Sequence, residues 1–145
     1  MRVRRPALLL CLALGLGTLT GCSGGGPYCD AIDRGEDALK SFGRQTSAAY
    51  ATYADVTADI AKVAPADVKK QRQAVAKATR QVVVAHRKAD VRIQDMKSED
   101  KVNALSQADL ERIQAANEAF NDTATQRREL AQHVKDECGT DLSDQ

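Results

Sequence analysis

Residues 41–47 read SFGRQTS, and the number of helices in the chain turns on them. Before them, Ile32, Gly35, Leu39 and Phe42 recur at three- and four-residue steps, which is one face of an α-helix. After them, Ala49, Tyr53, Val56, Ile60 and Val63 form a second stripe. Gly43 interrupts the pattern, and Thr46 and Ser47 are residue types that favour the helix N-cap. A bend at Gly43 to Thr46 makes two helices of this region; without a bend it is one.

Two more helical segments follow. Ala64-Pro65 ends the second stripe, because a residue before proline avoids the α region. From about Ala66 to Met96, Val68, Val75, Val82, Ala89 and Met96 recur at every seventh position, with Ala78, Ala85 and Ile93 between them. That is a narrow apolar seam, suited to an internal bundle or to a homodimer. Residues 97–105 form a polar connection whose apolar members are Val102 and Leu105. The fourth segment starts near Ser106, where Ser106-Gln107-Ala108-Asp109 is a capping-box pattern with Asp in place of Glu or Gln. Leu110, Ile113, Phe120, Ala124, Leu130, Ala131, Val134 and Cys138 line its apolar face. Asn117 and Arg127 interrupt that face, and Gly139 stands where a C-terminal glycine cap belongs. Alanine is plentiful, aromatics are few and tryptophan is absent, so the composition is that of an all-α domain with a thin core.

The start of the chain reads as an address. Arg2, Arg4 and Arg5 precede an apolar run from Ala7 to Leu16. The run is shorter than the about 20 residues of a spanning helix and fits the apolar part of a secretory signal. The competing reading is an uncleaved membrane anchor. Leu19-Thr20-Gly21-Cys22 resembles a bacterial lipobox, in which the cysteine receives a diacylglycerol group and becomes the first residue after cleavage. Two acyl chains anchor stably where one holds only marginally. The expected division is a signal peptide at 1–21, a flexible Gly/Ser tether at 22–27, one helical domain at 28–142 and a short tail at 143–145. Pro27 suits the first turn of a helix, where its missing N–H costs nothing.

Four cysteines are encoded. Cys11 leaves with the signal and Cys22 carries lipid, so Cys29 and Cys138 remain. In an exported protein two such thiols pair most simply with each other. The competing readings are two separate buried thiols, or a metal site that lacks the further Cys or His ligands zinc requires. Pairing decides the bend at 41–47. With three antiparallel helices Cys29 and Cys138 would lie at opposite ends, tens of Å apart at about 1.5 Å per residue. A disulfide needs Cα atoms within about 7 Å. The expectation is therefore a four-helix antiparallel bundle, a shorter hairpin of helices one and two against longer helices three and four, closed by one disulfide.

Charge narrows the partners. The signal carries three of the 21 basic residues and none of the 20 acidic ones, leaving 18 against 20. That balance gives no case for nucleic acid and none for a second, polybasic membrane contact. Tyr28-Cys29 after the tether, Ala64-Pro65 followed by Asp67-Val68, and Cys138-Gly139-Thr140-Asp141-Leu142 together resemble a group of small helical lipoproteins and secreted proteins of actinobacteria. Members often carry Trp after the Ala-Pro segment, where this chain has Gln71-Arg72. The resemblance spans Tyr28 to Leu142. It implies an envelope location and a helical, disulfide-closed fold, and it brings no established activity and no catalytic residue.

Little chemistry is legible. His86 lies beside the Val82–Ala89 seam and reads as a boundary residue. Glu129, His133 and Glu137 share a face at four-residue steps, whereas di-metal bundles use Glu-x-x-His; the row reads as a solvated charged face. Asp95, Glu99 and Asp100 read as a polar loop. No nucleophile-base order, phosphate loop or HExxH is present. The expected function is a non-catalytic interaction module, lipid-anchored through Cys22 at the outer face of the cytoplasmic membrane. Its expected partner is an envelope or extracellular protein, met through a helix face or through Val102 and Leu105. No metal and no cofactor are expected beyond the covalent diacylglycerol. The alternative is an envelope lipoprotein that binds a small molecule or metal ion between its helices.

Overall fold

A computed structural model describes residues 26–43 and 46–142. The signal segment, the lipobox residues Leu19, Thr20, Gly21 and Cys22, most of the tether and the tail 143–145 lie outside the described residues. Within them all regular structure is helical. Helix α1 spans Pro27–Lys40, α2 Ser47–Val63, α3 Lys69–Lys88, α4 Glu99–Asn103, α5 Gln107–Asn121 and α6 Ala124–Cys138. Short 3-10 turns occupy Ser41–Gly43 and Ile93–Lys97.

The chain bends where SFGRQTS places the bend. Helix α1 tightens into its 3-10 turn at Ser41, and α2 starts on Thr46, whose Oγ1 accepts from the Ala49 N–H at 3.2 Å. That bond satisfies one of the unpaired donors of the first turn. The two helices approach closely at Gly35, where a Cβ would collide with Val56 Cγ1. At the other limit of α2, Ala64 is extended, as a residue before proline should be.

The third segment stops earlier than its seven-residue repeat suggests. Helix α3 ends at Lys88, and residues 93–97 form a separate 3-10 turn. The stop is a Schellman motif: Asp90 N–H donates to Arg87 O and Val91 N–H to His86 O, each at 3.2 Å. Asp90 takes the left-handed conformation, φ 50°, usually given to glycine. The apolar repeat continues through the turn, and Ala89, Ile93 and Met96 still pack on the core.

The fourth segment is two helices rather than one. Thr123 N–H bonds to Phe120 O instead of continuing the α ladder. Thr123 Oγ1 and Arg127 Nη1 also donate to Phe120 O, both at 2.7 Å. Side chains inserted into the ladder in this way are a recognised cause of a kink. Helix α5 begins on the expected cap, with Ser106 Oγ accepting from Asp109 N–H at 3.1 Å. Helix α6 ends on Gly139 at φ 73°.

Helix α3 packs between α2 and α5, while α6 touches α1 and α3. Ile32, Ile60, Val82, Leu130 and Val134 form the fully buried centre. Cys29 and Cys138 are joined by a disulfide with Cα atoms 5.3 Å apart, closing a loop of sequence separation 109.

Candidate functional site

Two features stand out: a groove between α3 and α5, and a pair of arginines drawn into the core. The groove has a volume of about 580 Å³. Its floor is made of small apolar side chains, Val84 and Ala85 from α3 and Ala115, Ala116 and Ala119 from α5. Alanines at three- and four-residue steps leave this surface low, because they add no bulk beyond Cβ. Lys77, Arg80, Lys88 and Arg112 stand around it. Arg80 pairs with Asp55 at 2.8 Å across the helices and Arg112 with Asp109 along its own. Lys77 and Lys88 have no carboxylate partner among the described residues.

The arginines are Arg72 and Arg127. Arg72 is 6% exposed. Its Nε and Nη2 donate to the Tyr28 hydroxyl at 3.0 and 2.5 Å, and its guanidinium lies 5.3 Å from the Tyr28 ring centroid. Arg127 is half-buried. Its guanidinium sits 4.0 Å over Phe120 and 5.4 Å from the Phe42 ring, a cation–π arrangement. Nη1 is fixed by Phe120 O and by Thr123 Oγ1 at 2.8 Å. Burial pushes the Arg127 pKa down, against the pull of Tyr53 and Tyr50. Burial pushes the phenols of Tyr28, Tyr50 and Tyr53 up, so they are neutral near pH 7.

Both arginines line one small cavity of about 20 Å³, together with Tyr53 and Leu39. Arg127 also borders an open groove of about 650 Å³ beside α6 and Asp141. Arg127 is flagged by its stripe, and Arg72 could have been flagged in the same way. Arg72 sits four residues after Val68 and three before Val75, on the core face. Arg127 is seven after Phe120 and three before Leu130, and interrupts an otherwise apolar row.

The residues singled out for chemistry fall elsewhere. His86 is 5% exposed, not at the boundary, because residues 91–93 fold back toward the start of α2. Ser47 Oγ there accepts from Ile93 N–H at 2.9 Å. The His86 Nδ1 is buried and makes no hydrogen bond among the described residues, and burial lowers the ring's pKa. His133 faces Tyr28 and Asp67, with Nδ1 3.5 Å from the Tyr28 hydroxyl and Nε2 3.4 Å from Asp67 Oδ2. Glu129 instead accepts from Gln71 Nε2 at 2.9 Å. Asp95 pairs with Arg92, while Glu99 and Asp100 are exposed on α4. Val102 lies half-buried on α4, and Leu105 packs against the core.

Among the described residues, no group of three Cys, His, Asp or Glu side chains is placed to hold a metal ion, and no helix is long and apolar enough to cross a membrane. Comparison with known protein families, curated proteins and solved structures yields no significant match.

Proposed function

We propose that the protein is an exported lipoprotein, held at the outer face of the cytoplasmic membrane by the diacylated Cys22. Its helical domain is a four-helix antiparallel bundle, α1 and α2 against α3 and the kinked α5–α6 pair. It acts as a non-catalytic interaction module. The observation that carries this reading is the α3–α5 groove, with its low apolar floor and cationic rim. Its complement is an acidic amphipathic segment of another envelope or extracellular protein. Such a segment would lay small apolar side chains on the alanines and set carboxylates against Lys77 and Lys88. Complementary rim charge of this kind acts mainly on partner choice and association rate.

Two further features support the placement. The disulfide is the kind of bond that persists outside the cytoplasm. The tether would enter α1 two residues before Cys29, so a pull on the anchor is shared with the end of α6. Tyr28 meets Arg72, which puts the start of α3 at the tethered end. Lys77 then stands about 12 Å up α3 and Lys88 about 28 Å, at about 1.5 Å per residue. With the anchor at that end, the groove would open mostly over the part of the domain away from a membrane.

The test is cross-linking in living cells from the native anchor, with neighbours identified by mass spectrometry. The expected result is a specific neighbour lost both in Cys22→Ser and in the Lys77→Glu/Lys88→Glu chain. Identical neighbours in all three samples would refute the module reading. A neighbour kept by the groove variant but lost without the anchor would move the contact to another surface.

A further inference from the structure

Arg72 and Arg127 reach the same cavity from different elements. Arg72 comes from the first turn of α3, tied to Tyr28, and Arg127 from the first turn of α6, tied to the kink at Phe120. The wall between them is otherwise apolar apart from Tyr53, which is 3% exposed. The Arg72 guanidinium is largely withdrawn from water and that of Arg127 partly so, and burial of such a charge is offset by a counter-charge or by acceptors. Neither arginine has a carboxylate within ion-pair distance among the described residues. The neighbouring tyrosines do not supply the charge, because burial raises their pKa values and keeps them neutral.

Donors remain. Arg127 uses only Nη1 in hydrogen bonds, and Arg72 only Nε and Nη2, among the described residues. The Tyr53 hydroxyl is a further donor, and both guanidiniums act on it. The cavity, about 20 Å³, has room for a body the size of one water. A neutral water would fill that volume and leave both charges standing.

We propose that this cavity binds a single halide-sized monovalent anion, chloride among the common ones, held by Arg72, Arg127 and Tyr53. The size excludes phosphate and sulfate. Entry is short, because Arg127, Ala131 and Leu142 also border the open groove beside α6. The bound anion joins the polar cluster around Tyr28 to the kink of the α5–α6 pair, and it needs neither the membrane anchor nor the α3–α5 groove.

The experiment is thermal melting of the oxidised chain at constant ionic strength, with chloride exchanged for gluconate, which is too large for the cavity. A ligand bound only by the folded state raises the melting temperature saturably. The expected result is a rise of several degrees in chloride and in bromide, absent from Arg127→Gln. Crystals of the wild-type chain soaked in bromide should give an anomalous peak between the two guanidiniums, a readout that does not need the variant to fold. Equal melting in chloride and gluconate without such a peak would overturn the proposal. So would a halide effect of the same size in a folded Arg127→Gln chain. Halide-independent melting that falls in Asp144→Asn would overturn it too, since the counter-charge would then come from the chain's own tail.

Discussion

The two ends of α1 are closed by different means. At its start, Cys29 is bonded to Cys138, and Tyr28 gathers Arg72 and His133 into a polar cluster beside that bond. At its end, closure rests on rings. Phe42 lies 4.8 Å from Tyr53, 5.2 Å from Phe120 and 5.6 Å from Tyr50, with Arg127 laid over Phe120. Four of the five aromatic residues of the chain meet there, so a core short of large side chains spends nearly all of them at one end. The other end holds none of these four rings and is closed by a covalent bond. Small domains often need such a link.

Breaking the covalent end should have the larger effect. The chain-entropy model values closure of a loop of about a hundred residues at up to about 4.7 kcal/mol. Against a typical stability of about 5–15 kcal/mol, Cys29→Ser should lower the melting temperature by about 20 °C, at several degrees per kcal/mol for a domain of this size. Melting with and without reductant checks it. An unchanged transition would mean that the polar cluster, not the bond, holds this end.

The aromatic end should come second. Phe120→Ala removes a ring that is 4% exposed and should cost about 3 kcal/mol, in the lower part of the usual range for Phe→Ala. Arg127, which covers the ring, borders an open groove into which the site can relax. Denaturant unfolding measures the loss. If the two ends form one cooperative unit, Cys29→Ser and Phe120→Ala together will still give a single transition. Two transitions would make the ends separate folding units.

Much of this contrast was legible in the sequence, and the reasons differ by residue. Periodicity marked the stripes, and Gly43 with Thr46 marked the bend, because those signals are local. The disulfide followed from compartment and the two cysteines left to pair, and helix parity then required the bend. The kink at Asp122–Thr123 was not legible, since no proline or glycine marks it and it depends on Arg127 reaching back to Phe120 O. The early end of α3 was hidden because the apolar repeat runs on through a Schellman turn. His86 was misplaced for the same reason: residues 91–93, which bury it, were expected to continue the helix but leave it after Lys88. The groove could not be read from a single stripe, since its floor is shared by two helices.

His86 gives the aromatic end a pH dependence. Its folded pKa lies below the ordinary value of 6.5, chiefly through burial and despite an opposing backbone contact at Val91. The fold therefore prefers the neutral ring. The stability that follows is fully present above about pH 6.5 and is lost as pH falls from there through the folded pKa. Wild-type melting should drop between pH 7 and pH 5 by more than that of His86→Gln, which removes the titration. Parallel curves for the two chains would show that the ring protonates without penalty, its Nδ1 reaching solvent.

The smallest expected effect lies in the turn that follows His86. Asp90 holds φ 50° so that the last carbonyls of α3 are capped. Aspartate is disfavoured there for two reasons. A left-handed conformation costs a residue with a Cβ more than it costs glycine. A carboxylate also sits badly at a helix C-terminus, where the dipole is negative. Glycine removes both, and gives back part of the gain through the greater freedom of the unfolded chain. The net expectation for Asp90→Gly is a gain below about 1 kcal/mol, or a few degrees in melting temperature. Asp90→Asn tells charge from conformation, because it deletes the charge and keeps the side chain. If Asn recovers most of the gain, charge at the helix end outweighs backbone conformation; if only Gly does, backbone conformation outweighs charge. A loss in both variants would mean that the carboxylate itself helps to hold the turn.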